Sequence, residues 1–176
     1  NFILKLNALS GKTFLLPTEA QWEYACRATT TARYYWGDDL DGARIGACAW
    51  YHGSATAVGE PYAHAAGWKA ANVWGLCDMS GNAYEWCRDW YGTYPAAAVI
   101  DPAGPATGTV RVLRGGSWYE PAGCCRSAAR NGAMQSCRSR SSLKYFSIGC
   151  LFTSNLPVPG RTRTRATAFF RRHGQS

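Results

Sequence analysis

Asn72 to Tyr94 reads NVWGLCDMSGNAYEWCRDWYGTY, and Asp101 to Trp118 reads DPAGPATGTVRVLRGGSW. Trp74, Trp86, Trp90 and Trp118 sit there among Gly75, Gly81, Gly92, Gly104, Gly108, Gly115 and Gly116. Large rings supply buried area where regular helices and strands are scarce. Glycines allow tight turns and close backbone approach between those rings. The expectation is a loop-rich core stapled by aromatic side chains.

Working outward, residues 1–9 (NFILKLNAL) read as the end of an amphipathic helix stopped at Ser10-Gly11. Phe14 to Leu16 predicts a short strand ended by Pro17. Thr18-Glu19-Ala20-Gln21 has capping-box spacing, so a helix should follow to about Ala28 with Trp22, Ala25 and Cys26 on one face. Residues 29–71 show little periodicity and predict ordered loops with short strands. Arg111 to Leu113 predicts a strand entering Gly115-Gly116, and Ser147 to Phe152 predicts another. Pro157 and Pro159 open what reads as a tail.

With 176 residues, 47% hydrophobic and 14% aromatic, the chain is long and apolar enough for one packed domain. We divide it into a domain over residues 1–152 and a basic C-terminal tail over 153–176. No apolar run approaches the length of a membrane span. The first residue is not Met, so a preceding segment is expected and the compartment is left open. Of the net charge of +8, five units come from Arg161, Arg163, Arg165, Arg171 and Arg172 in the tail. A basic tail without a basic folded face argues against a nucleic-acid partner.

The eight cysteines include no C-x-x-C pair and no metal-site spacing with His52, His64 or His173, which argues against structural zinc. Cys26, Cys77 and Cys87 lie in apolar patterns and read as small buried hydrophobes. An even count also suits disulfides in an oxidising compartment, with pairings unassigned.

LPTEAQWEYACRA (Leu16 to Ala28), YYWGDD (Tyr34 to Asp39), NVWGLCDMSGNAYEWCRDWY (Asn72 to Tyr91), DPAGP (Asp101 to Pro105), RVLRGGSW (Arg111 to Trp118) and RSAAR (Arg126 to Arg130) occur in this order. Together they resemble the formylglycine-generating enzyme, or sulfatase-modifying factor, family. Several ordered motifs are more specific than any one. The resemblance implies an α+β fold of C-type-lectin-like type with little regular secondary structure. It departs at the C-terminus, where a family strand like IGFR is here Ile148-Gly149-Cys150-Leu151.

Catalytic members of that family hold copper(I) between two cysteines past the GGS motif and oxidise a substrate cysteine to formylglycine. Two soft thiolates suit a soft monovalent metal. The matching positions here are Glu120 and Cys125, so the second catalytic cysteine is present and the first is replaced by a hard oxygen ligand. Cys124 or Cys137 would have to stand in as partner, and the substrate would be a sulfatase segment containing Cys, Pro and Arg. The resemblance also implies a structural calcium near GNAYEW, with Asn82 and Glu85 as oxygen donors. The alternative, that both satisfy buried backbone groups, stands beside it.

The segment after GGSW also resembles the retroelement-diversified variable proteins, which vary this stretch on the same scaffold. Tyr119, Glu120, Cys124, Ala129, Asn131, Cys137 and Ser139 would then contact a protein or surface ligand, using adaptable residue types. A non-oxidase binding role is the favoured reading, with copper-dependent oxidation as the alternative. Carbohydrate binding is a third reading that rests on fold analogy alone.

Overall fold

Helix α2 (Glu19–Arg27) is anchored by the capping box its sequence promises. Thr18 Oγ1 accepts from the Gln21 N–H at 3.1 Å, and Gln21 Oε1 accepts from the Thr18 N–H at 2.9 Å. The helix ends at Ala28, whose φ of 46° turns the chain left-handed while its N–H donates to the Tyr24 carbonyl. The structure, a computed structural model, describes residues 2–134, 146–147, 150–153 and 167–168. Before α2 lie α1 (Phe2–Ser10), stopped by Gly11 at φ 65°, and the two-residue strand β1 (Phe14–Leu15). Asn7 ties these together, accepting from Phe14 N at 2.8 Å and donating to its carbonyl at 3.3 Å.

Two sheets follow. The larger has order β4-β3-β2-β5, formed by β2 (Tyr84–Trp90), β3 (Val110–Arg114), β4 (Asn131–Met134) and β5 (Phe146–Ser147). β2 and β5 are parallel, and the other pairs are antiparallel. The smaller sheet has order β1-β6-β7, adding β6 (Cys150–Thr153) and β7 (Thr167–Ala168). The single strand expected over Ser147 to Phe152 is therefore two strands in different sheets. Thr153, the last residue of β6, and β7 fall within the segment read as a tail; the rest of that segment lies outside the described residues.

β2 and β3 lose register between Trp86 and Trp90. The displaced Arg88 N–H donates instead to the Pro17 carbonyl at 2.9 Å, which ties the irregularity to the start of α2. Residues 29–71 form no named strand. They contain two short helices, α3 (Ile45–Cys48) and α4 (His52–Ala57), with isolated bridges at Tyr34–Gly37 and Trp50–Gly81. Side-chain bonds, such as Trp36 Nε1 to Asp39 at 3.0 Å, hold these loops in place of strand pairing.

The core packs α2 onto the sheet. Trp22, Ala25, Cys26, Tyr35, Met79, Cys87 and Val112 form its centre. The aromatic-staple expectation needs correction in detail. Trp22 is wholly buried, whereas Trp74 is 43% exposed and Trp86 and Trp90 are half-buried. Trp74 meets Tyr24 edge-on at 4.9 Å near the surface, and Trp90 carries the Arg111 guanidinium 3.3 Å above its ring. Indole rings cover surface as readily as they fill a core, because one edge tolerates water. Cys77 is also half-exposed, unlike buried Cys26 and Cys87.

Candidate functional site

β3 runs into Gly115 and Gly116, at φ 90° and 77°. A Cβ on Gly116 would lie 2.9 Å from the Cys124 carbonyl oxygen, so glycine is required for the return chain to pass this close. The turn is pinned by Gly81 N–H to the Gly115 carbonyl at 2.7 Å and Trp118 N–H to the Asn82 carbonyl at 3.0 Å. The Glu120 carbonyl accepts from His52 N at 2.9 Å. A 3-10 turn over Ala122–Cys125 then sends the chain inward, and Ser80 Oγ fixes it by donating to the Cys125 carbonyl at 2.9 Å.

This path sorts the predicted contact residues. Tyr119 is 57% exposed and Asn131 is exposed; Glu120, Cys124 and Ala129 are half-buried. Their neighbours Ser117, Trp118, Cys125 and Ser127 are buried. Cys124 Sγ lies 3.8 Å from a Glu120 carboxylate oxygen, and Asn131 Nδ2 donates to the Tyr84 hydroxyl at 2.9 Å. The structure thus brings Tyr84, Glu120, Cys124 and Asn131 to one region. Cys137 and Ser139 lie outside the described residues.

Cys125 has no exposed surface. Burial pushes its thiol far above the ordinary range, and the neighbouring Cys124 and Glu120 add to the effect. Burial, then the Glu120 charge, also raises Cys124. Reactive and metal-binding cysteines need the opposite environment, accessible and electropositive. Cys26, Cys48, Cys77, Cys87, Cys124 and Cys125 carry free thiols. A copper(I) ion would have to reach a thiol enclosed by protein, beside a carboxylate, so these residues do not fit that metal.

The proposed calcium donors serve the protein itself. Asn82, at φ 64°, accepts from the His64 N–H at 2.8 Å and donates to the His64 carbonyl at 3.0 Å. Glu85 accepts from Trp22 Nε1 at 2.6 Å. Both oxygen donors thus already accept hydrogen bonds from the protein. Among the described residues, no group of three His, Cys, Asp or Glu side chains converges as a metal site.

Sequence reasoning missed what Asn82 organises. His64, given no role, stacks on Trp50 with centroids 3.6 Å apart, and Lys69 Nζ sits 3.7 Å from the centroid of the same indole. Trp50 packs with Ala55 and Trp118, so the column supports the GGSW turn from beneath. The signal was faint: a Trp, a His and a Lys scattered through an aperiodic stretch. It also missed the ionic brace of the site. Wholly buried Arg114 pairs with Glu23 and lies 3.6 Å from Glu19, while Arg130 pairs with Glu19 at 2.6 Å. No helix among the described residues is long and apolar enough to cross a membrane.

The profile of the sulfatase-modifying factor enzyme 1-like domain matches residues 5–142. The serine/threonine-protein kinase pkn1 of Chlamydia caviae is 44% identical over 108 residues, spanning 58% of this chain and 16% of that protein. The formylglycine-generating enzyme of Streptomyces coelicolor is 40% identical over 111 residues, spanning 58% of this chain and 35% of that protein. This chain therefore spans about a third or less of the length of these curated relatives. Among solved structures, Treponema denticola variable protein 1 superposes with a TM-score of 0.63 at 35% identity, covering 70% of this chain and 43% of that one. PvdO from Pseudomonas aeruginosa superposes with a TM-score of 0.68 at 29% identity, covering 77% and 52%. With the capped helix, the Gly115-Gly116 turn and its arginine brace all inside the matched residues, this chain belongs to the sulfatase-modifying factor enzyme 1-like domain family.

Proposed function

We propose that this domain is a binding member of its family, presenting an adaptable ligand- or protein-contacting surface from Tyr119 to Asn131 on a fixed scaffold. One observation carries the reading. Cys125, the cysteine at the second catalytic position, is sealed in the core with its thiol raised, and the first position holds Glu120. Between them Pro121 is exposed and Cys124 half-buried, on a turn that glycines and buried hydrogen bonds hold still. An exposed Tyr119 on this turn and an exposed Asn131 at the start of β4 make amphipathic contacts at low entropic cost. The likeness to Treponema denticola variable protein 1 supports this reading.

The copper-dependent oxidation of a Cys/Pro/Arg segment is the competing reading, and relatives named formylglycine-generating enzyme keep it in view. A copper(I) titration of reduced protein, wild type beside Cys125→Ser, separates the two. The binding reading expects no stoichiometric site that depends on Cys125. Tight one-to-one binding lost in the variant would overturn it. A display library randomised at residues 119, 120, 124, 129 and 131 tests the surface directly. Most members should remain folded; widespread misfolding would show these residues to be structural.

A further inference from the structure

The opposite end of β2 from the Gly115-Gly116 turn carries a cleft that the binding surface does not use. It lies between α2 and the loop from Gly92 to Pro105, with a volume of about 620 Å³, the size of a small-molecule site. We propose that this cleft is a second ligand site and takes an organic ammonium ion with an apolar body.

Its charges are spoken for, with one exception. Glu19, Glu23 and Asp89 line it against Arg27 and Arg130, and buried Arg114 pairs with Glu23 and lies 3.6 Å from Glu19. Arg130 occupies both Glu19 oxygens, at 2.6 and 2.7 Å, and donates to the Gly92 carbonyl at 3.0 Å. Arg27 is held by Glu23 at 2.8 Å and by the Ala32 carbonyl at 2.9 Å. No guanidinium is therefore left to draw an anion in.

Asp89 differs. It is 2% exposed; its Oδ2 accepts from the Glu19 N–H, and its Oδ1 has no hydrogen-bond partner. Oδ1 is itself buried and lies beside Gly104, where an added Cβ would stand 3.4 Å from it. A buried acceptor without a donor is costly, and a ligand that brings a charged N–H removes that cost. Burial and the Glu19 charge already push the Asp89 carboxyl up, and a bound cation acts in the opposite sense. Trp90, Tyr24, Val99 and the Pro102 and Pro105 rings line the rest, which suits a hydrocarbon or aromatic body behind the ammonium group.

Phenethylammonium, 2-phenylethanol and phenylacetate share one body and differ in charge, so calorimetric titration of all three reads the site. Saturable one-to-one binding of phenethylammonium is expected, with the other two weaker by about tenfold or more, the worth of a charge-assisted hydrogen bond. Asp89→Asn should lower phenethylammonium affinity by a similar factor. Ala103→Trp, on the exposed loop lining the cleft, fills it while leaving Asp89 in place and should abolish binding; it decides the matter if Asp89→Asn does not fold. No saturable binding to wild type, equal affinity for the neutral alcohol, or undiminished binding to Asp89→Asn or Ala103→Trp would each overturn the proposal.

Discussion

Both carboxylate oxygens of Glu19 are gripped by the Arg130 guanidinium, Nε to Oε1 at 2.6 Å and Nη2 to Oε2 at 2.7 Å. This fork joins the first turn of α2 to the residue immediately before β4. The guanidinium also lies 4.0 Å from the Tyr94 ring centroid and 4.6 Å from that of Tyr91. The chain that carries the proposed contact surface is therefore fastened at its far end by a planar, bidentate pair.

Arg130→Met should cost roughly 3 kcal/mol, as expected when one member of a largely buried pair is removed. Arg130→Lys should recover little, because an ammonium cannot reproduce the fork. Urea unfolding of the three proteins measures this. A Lys variant as stable as wild type would show that charge alone suffices.

Gly81→Ala should be among the most damaging single-methyl changes in the chain. At φ 75° the added Cβ collides with the Trp50 carbonyl, which accepts from Asn82 N at 2.7 Å and forms the bridge beneath the GGSW turn. Gly123→Ala meets open space at an unstrained φ and should stay within about 0.5 kcal/mol of wild type. In thermal melts, each kcal/mol moves Tm by roughly 2–4 °C at this size, so the two variants should separate clearly. Equal melting would remove the case for a glycine-dependent close approach.

Buried thiols give a pH signature. Burial raises Cys26 from an ordinary 9.0 to about 12. The native state thus holds a proton that the unfolded chain releases. This contribution to stability is complete below about pH 9 and is lost as pH rises toward about 12. Denaturant melts at pH 8 and pH 10 should show the fall, and Cys26→Ala should make it shallower, with buried Cys87 and Cys125 supplying the remainder. Iodoacetamide at pH 8 should label Cys77 and Cys124 before Cys26, Cys87 or Cys125.

Local signals in the sequence were legible where chemistry acts over a few residues. The Thr18–Gln21 capping box, the α2 face of Trp22, Ala25 and Cys26, and the Gly115-Gly116 turn all depend on neighbours in the chain. What could not be read depends on partners far away. Asn72 opens the most informative motif, yet its use appears only in the fold: Nδ2 donates to the Ala25 and Cys26 carbonyls at 2.8 and 3.1 Å, closing the end of α2. Its oxygen accepts from Trp74 N and Leu76 N, shaping the following turn. Trp86 and Trp118 looked equivalent in sequence, but one strand places Trp86 half in solvent while the Trp50 column encloses Trp118. The pairing of β2 with β5 and of β1 with β6 joins residues over 60 positions apart, and no pattern in either member announces the other.

Trp118 and Tyr119 are adjacent, touch edge-on with centroids 5.5 Å apart, and should behave in opposite ways. Trp118 is 8% exposed and packs with Trp50 and Ala55, so Trp118→Ala should cost roughly 3–5 kcal/mol as an emptied aromatic site. Tyr119 is 57% exposed. Its contacts with Trp118 and, at 6.3 Å, with His52 are worth at most about 1 kcal/mol, so Tyr119→Ala should melt close to wild type. The contrast separates scaffold from surface within one dipeptide. If Tyr119→Ala were as destabilising as Trp118→Ala, the tyrosine would belong to the core, and a contact surface beginning at Tyr119 would have to be abandoned. If Tyr119→Ala melts normally, the ring stands outward on a turn that does not need it for folding, as a recognition residue requires.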